Sequence, residues 1–259
     1  MERRSRLEIG GGMQKLINLE KLPPAVSAKI EPYLKALLSL YGDEVMSVVI
    51  YGSAIGNDFS AKSSDINLLV VFRKMDFSFF KRALKVIDKG IKRKISAPLF
   101  LTDEYILASL DVFPAEFLEI KENHITVFGE DLMGSIDINE SNLRLECEQQ
   151  LKGKLIRVRQ AYLEVGFKAK GMEALLKESF KSLLPVFRNL LRLKGIKPPV
   201  AKEEIIVELC QEFDLNSELF FTILKDARND ERIAGRDVEE VLKDYLNQIE
   251  KLTKIIDKL

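Results

Sequence analysis

Val48-Val49-Ile50-Tyr51-Gly52-Ser53, followed eleven residues on by Ser64-Asp65-Ile66-Asn67-Leu68-Leu69-Val70-Val71-Phe72, is the stretch from which the fold is read. Each half is a run of β-branched and other apolar residues, so the spacing predicts strands at about 45–51 and 66–72, too apolar to face water on either side. A Gly-Ser turn closes the first run. Side chains alternate faces along a strand, so Asp65 and Asn67 share one face at the start of the second. Two oxygen donors on one face suit a shared cation.

This arrangement resembles the nucleotidyltransferase superfamily, which includes the antibiotic nucleotidyltransferases and polymerase beta and whose signature is a Gly-Ser turn, a spacer and Asp-x-Asp. The resemblance implies an α+β fold with an N-terminal nucleotidyltransferase-like mixed sheet. It also implies a triphosphate held by Gly52 and Ser53, since glycine lets the backbone approach and serine donates to phosphate oxygens. Two Mg2+ ions would be held by Asp65, Asn67 and a third carboxylate on a later strand, one ion on the triphosphate and one on the acceptor hydroxyl. The activity implied is transfer of a nucleoside monophosphate from Mg-NTP, ATP first among them, to a hydroxyl of an acceptor that the sequence does not identify.

Two positions depart from the family pattern. Asn67 stands where the second Asp belongs, offering a carbonyl oxygen without charge and unable to bridge two cations as a carboxylate does. Ala54-Ile55 stands where the family often carries an Arg. The alternative reading is therefore a catalytically degenerate nucleotidyltransferase fold acting as a nucleotide sensor or protein-interaction module. Phe113-Pro114-Ala115-Glu116-Phe117-Leu118-Glu119-Ile120 resembles the family's later acidic strand. Its register makes Glu116 the third ligand and, with Asp65, a catalytic residue. Glu119, three residues on, faces the other side and is the second choice.

Around this centre, Pro23-Pro24 opens a helix whose stripe of Val26, Ile30, Leu34, Leu37, Leu38 and Tyr41 ends at Gly42. A helix over about 77–94 is expected to turn Phe80, Leu84, Ile87 and Ile91 inward. A third strand is expected at 97–101, a short helix at 103–110, and Ile125–Phe128 as a strand that hairpins back on the acidic one. The α/β part spans 20–138, after a flexible arm at 1–19 that contains Gly10-Gly11-Gly12. Residues 139–259 read as an all-α bundle, with Leu151, Leu155, Val158, Tyr162 and Val165 on one helix. Leu176, Phe180, Leu183, Phe187 and Leu190 follow on the next, which Pro185 kinks and Gly195 stops. Shorter helices carry Ile205, Leu209 and Phe213, then Phe220, Ile223 and Leu224. The last has Val238, Leu242, Tyr245, Ile249, Leu252 and Ile256 inward behind an Asp237/Glu240 capping box. Such a bundle is similar to the C-terminal domain of kanamycin nucleotidyltransferase and to HEPN domains. Ribonuclease activity of the HEPN type is not expected, because it needs an Arg-His pair in the bundle and the chain's one histidine, His124, lies outside it.

Composition narrows the partners. Forty Lys and Arg balance forty Asp and Glu in 259 residues, so no global field draws the chain to nucleic acid. The local exception is Lys81, Lys85, Lys89 and Lys92 with Arg82 and Arg93, which share a helical side and read as a solvated face. No apolar run reaches bilayer-spanning length, and no signal peptide is evident, so a cytoplasmic protein without membrane contact is expected. Cys147 and Cys210 sit within helical stripes and read as core thiols. No zinc spacing, Ser-His-Asp set or dinucleotide loop occurs, and His124 reads as a turn or surface residue rather than a base. A homodimer is expected from the bundle helices.

Overall fold

The computed structural model describes residues 15–56 and 64–259. Gly10-Gly11-Gly12 and most of the spacer after Ser53 fall outside them. The described chain forms two compact units, one of residues up to 110 together with 116–137, the other of 111–115 and 138–259.

The first unit is built on a four-stranded sheet of order β3-β2-β1-β4. Its strands are β1 (Val45–Tyr51), β2 (Asn67–Phe72), β3 (Leu99–Thr102) and β4 (His124–Gly129). β1 lies at the centre, antiparallel to both β2 and β4, and β3 runs parallel to β2 at one edge. Apart from Ser47 in β1 and Asn67 at the start of β2, the two strands are apolar, which follows from burial on both faces. Helix α1 (Pro24–Tyr41) buries all six stripe positions named above, and Gly42 ends it with φ +58°. That surface merges with Val48, Ile50, Leu68, Val70 and Phe72 into one core.

Helix α2 (Phe77–Ile91) is capped by Asp76, whose carboxylate accepts from Ser78 N at 2.7 Å. It corrects the inward stripe expected from the sequence. Phe79, Ala83 and Gly90 are its buried residues, whereas Phe80, Leu84 and Ile91 are exposed and Ile87 is only partly covered. The reason is close approach: a Cβ on Gly90 would lie 2.5 Å from the Tyr33 ring of α1, so small residues mark the packed side.

Two short helices follow β3, α3 (Asp103–Ala108) and α4 (Pro114–Glu122). The second corrects the acidic strand expected there: Glu116 and Glu119 lie on a helix. Pro114 at its first position favours helix over strand. β4 accordingly hairpins with nothing before it but pairs with β1. Residues 15–19, expected as part of a flexible arm, are tied to this edge: Ile17 N donates to Val127 O and Asn18 Nδ2 to Thr126 O, each at 2.9 Å. After β4 comes the single turn α5 (Leu132–Ser135).

The second unit holds α6 (Glu140–Val165), α7 (Ala169–Leu193), α8 (Lys202–Phe213), α9 (Ser217–Arg228) and α10 (Val238–Ile256). α7 is central and packs on the other four. Its stripe and that of α10 are buried as the sequence predicts, with Phe180, Phe187, Phe220 and Tyr245 in mutual ring contact. Tyr245, wholly buried, shares a 2.8 Å hydrogen bond with Ser179. α7 continues through Pro185. Asp237 caps no amide, because its backbone is already helical at φ −101°, ψ −11° and the side chain does not reach forward. Cys147 and Cys210 are buried free thiols, both pushed up to about 12 by burial.

Candidate functional site

The residues singled out by the sequence converge in part, where β1 ends and β2 begins. Antiparallel pairing sets Tyr51 opposite Asn67, so Gly52 leaves the sheet beside the Asn67 side chain. Gly52 has φ +75°, and a Cβ there would sit 3.5 Å from Asn67 Nδ2. Glycine is thus required by the backbone more than by crowding. Gly52 opens a 3₁₀ turn through Ile55, in which Ser53 is exposed and Ala54 fully buried. Burial of Ala54 leaves no room for the arginine that the family often carries next to the Gly-Ser pair. Asp65 stands exposed two residues before Asn67, joined through Ile66, whose backbone bridges to Ile95.

The hydrogen bonds at this end are already committed. Ser96 Oγ donates to Asn67 Oδ1 at 2.9 Å, which uses one of that oxygen's two lone pairs and fixes the direction of the side chain. Gly52 N donates to Asn123 O at 3.1 Å, so this amide does not point at a ligand. Neither partner was legible in the sequence, since both arrive from distant parts of the chain and carry no motif.

A third carboxylate on a strand is missing. β3 is Leu-Phe-Leu-Thr and β4 is His-Ile-Thr-Val-Phe-Gly, and neither holds Asp or Glu. Glu116 is exposed in the first turn of α4. Among the described residues, no three Asp, Glu, His or Cys side chains gather to hold a metal ion. Among the described residues, a donor set of one carboxylate and one uncharged amide does not fit a pair of magnesium ions, which are held by charged oxygen ligands and phosphate.

His124 opens β4 opposite Tyr51. Its side chain is 9% exposed, Nδ1 lies 3.1 and 2.9 Å from the carbonyls of Ile120 and Lys121, and Nε2 lies 2.8 Å from Asp131 Oδ1. Both nitrogens are taken, and of the turn or surface residue expected it is the turn residue, at the corner into β4. Asp131 also accepts from Thr126 Oγ1 and Gly134 N. Partial burial raises its carboxyl, but the bonds from His124, Gly134 and Thr126 outweigh this and hold it below the usual carboxylate range. A lowered folded value stabilises the native state above the unfolded value of about 3.9, and the contribution disappears as pH falls through the folded value. The stability difference between wild type and Asp131→Asn should therefore be at its full size above about pH 4 and shrink as the pH falls below that through the folded value. Denaturant midpoints at each pH check this; a difference independent of pH contradicts it.

Among solved structures, the chain is similar to spectinomycin adenyltransferase AAD(9) from Enterococcus faecialis, crystallised with ATP and spectinomycin. The TM-score is 0.52 at 15% identity, over 86% of this chain and 98% of that one. The fold is nucleotidyltransferase-like. No family model and no curated protein matches the sequence. The nucleotidyltransferase-like fold accounts for the mixed sheet followed by helices; at 15% identity the likeness extends to fold alone. Among the described residues no helix is long and apolar enough to cross a membrane.

Proposed function

We propose that this chain is a nucleotidyltransferase fold with a reduced site, which binds a nucleoside triphosphate at the β1–β2 end without transferring it. The observation that carries this reading is the Ser96–Asn67 hydrogen bond at 2.9 Å. It holds as a structural strut the side chain that the family resemblance assigns to a metal. The Gly52–Ser53 turn is the phosphate-facing element, with the exposed Ser53 hydroxyl as donor. ATP is the first candidate, because the structurally similar adenyltransferase was crystallised with it.

A second reading is favoured by one feature, the exposed carboxylate of Asp65 at the strand end. In it, Asp65 and Glu116 would take the catalytic roles if Glu116 on α4 came to face Asp65, Asn67 would join them around Mg2+, and a nucleoside monophosphate would pass to an acceptor hydroxyl with pyrophosphate leaving. The HEPN-like character of the helical unit, a homodimer and a cytoplasmic location belong to both readings.

ATP binding tests the proposal. In calorimetric titration of the wild type with ATP, one saturable site is expected. Ser53→Asp, which sets a carboxylate against the phosphates on an exposed turn, should weaken it by about tenfold or more. Absence of ATP binding, or binding unchanged by Ser53→Asp, overturns the assignment.

A further inference from the structure

Helix α6 turns outward a face that its own unit leaves uncovered. Leu145, Ile156 and Leu163 are 57%, 64% and 80% exposed and, at about 100° per residue, fall within an arc of about 20°. Gln149, Gln160 and Gly153 widen that arc to about 80°, and no charged residue of α6 falls inside it. The buried residues of the helix, among them Cys147, Leu151 and Val158, lie on the opposite side.

Two features of α6 say what covers this face. The first is Gly153. Glycine weakens a helix interior, and nothing lies within 4 Å of a Cβ added here, so the chain's own packing supplies no close approach that would require it. A two-fold axis crossing α6 between Lys154 and Leu155 sets Ile156 of each copy over Gly153 of the other. The same axis brings Gln149 beside Gln160, and Leu145 within one residue of Leu163. Read backwards, the face is complementary to itself, with a bulky residue meeting a gap and amide meeting amide. The second feature is charge. Residues 140–151 of α6 hold three acids and one base, and residues 152–165 hold four bases and one acid. Antiparallel copies therefore oppose unlike halves, whereas a parallel pair would stack like on like.

We infer that the outer face of α6 is the contact between two copies of this chain, packed antiparallel with Ile156 of each against Gly153 of the other. This gives a surface to the homodimer of the reading above, on which it rests, and does not depend on nucleotide binding. A helix of 26 residues is about 39 Å long, and two side by side bury on the order of 1,000 Å², the low end for a specific contact, so a micromolar dimer is expected. A lipid surface fits less well, because the two glutamine amides would be carried into the acyl boundary.

Sedimentation of the full chain between about 1 and 100 μM should show a concentration-dependent monomer–dimer equilibrium. Ile156→Glu/Leu163→Glu should raise the dimer dissociation constant by about tenfold or more. Gly153→Gln should do the same by filling the gap, yet raise the melting temperature of the dilute monomer, because glutamine is the better helix former. A merely structural glycine would not divide the two readouts in this way. When Gln149→Cys and Gln160→Cys chains are mixed with a short bismaleimide, links between unlike chains are expected in preference to links between like ones; Cys147 and Cys210 are buried. None of the substituted positions is buried, so unchanged circular dichroism of the dilute variants certifies the folds. A dimer that these variants leave unchanged, or links between like chains, overturns this surface and leaves the homodimer standing. A chain that stays monomeric throughout, or one whose face binds anionic vesicles instead, overturns both.

Discussion

Gly129→Ala should destabilise the protein by about 3 kcal/mol or more, among the largest losses of any single methyl addition in the chain. Gly129 closes β4 with φ +73°, paired with Ser47, and a Cβ there would lie 1.8 Å from the carbonyl oxygen of Met46. That obstacle is backbone in the central strand, at a register irregularity between Val45 and Ser47, and it has no rotamer to escape into. Left-handed strain alone costs about 1–2 kcal/mol, and the collision adds to it. Gly195→Ala separates the two terms: φ is +72°, but nothing lies within 4 Å of the added methyl. Denaturant midpoints should place Gly195→Ala near 1 kcal/mol and Gly129→Ala far beyond it. Equal losses would show that β4 does not approach β1 as described.

Lys177→Met should cost about 3 kcal/mol, for a different reason. Asp226 on α9 is 0% exposed, and its Oδ2 lies 3.2 Å from Lys177 Nζ on α7, at ion-pair distance though off the direction of a hydrogen bond. Oδ1 accepts from Ile233 N at 3.3 Å, which anchors the loop before α10. Glu173, 2.6 Å away, and then Asp226 hold the Lys177 ammonium above its ordinary value against the opposing effect of burial. Removing the cation leaves a carboxylate in the interior with one amide, and an uncompensated buried charge is what makes such a lesion severe. Adding Asp226→Asn to Lys177→Met should recover part of the loss, since the double variant buries no charge. A Lys177→Met change within about 0.5 kcal/mol of wild type contradicts the pairing.

The elements that the sequence disclosed best were those whose pattern and packing agree. α1, with Pro24 at its start and Gly42 at its end, and the mainly apolar β1 and β2 are examples. The stripes of α7 and α10 were equally plain. Bulk does not mark the side that α2 buries: Phe80, Leu84 and Ile91 outweigh Ala83 and Gly90, yet the small residues let α2 reach the Tyr33 ring. The Glu116 segment resembles the family's acidic strand in motif, but its local signals, Pro114 and carboxylates at three-residue spacing, favour the helix that forms. At the candidate site, sequence placed Gly52, Ser53, Asp65 and Asn67 at neighbouring strand ends, and the register of Tyr51 with Asn67 agrees with it for Gly52 and Asn67. It gave no sign of Ser96 or Asn123, whose roles depend on tertiary approach.

This nucleotidyltransferase-like fold is proposed to bind a nucleotide without transferring it. Pyrophosphate release from ATP with magnesium present, measured for the wild type and for Asp65→Ala, tests it most directly. The account predicts no release above background from either protein. Release by the wild type that Asp65→Ala abolishes would contradict it and establish a working transferase.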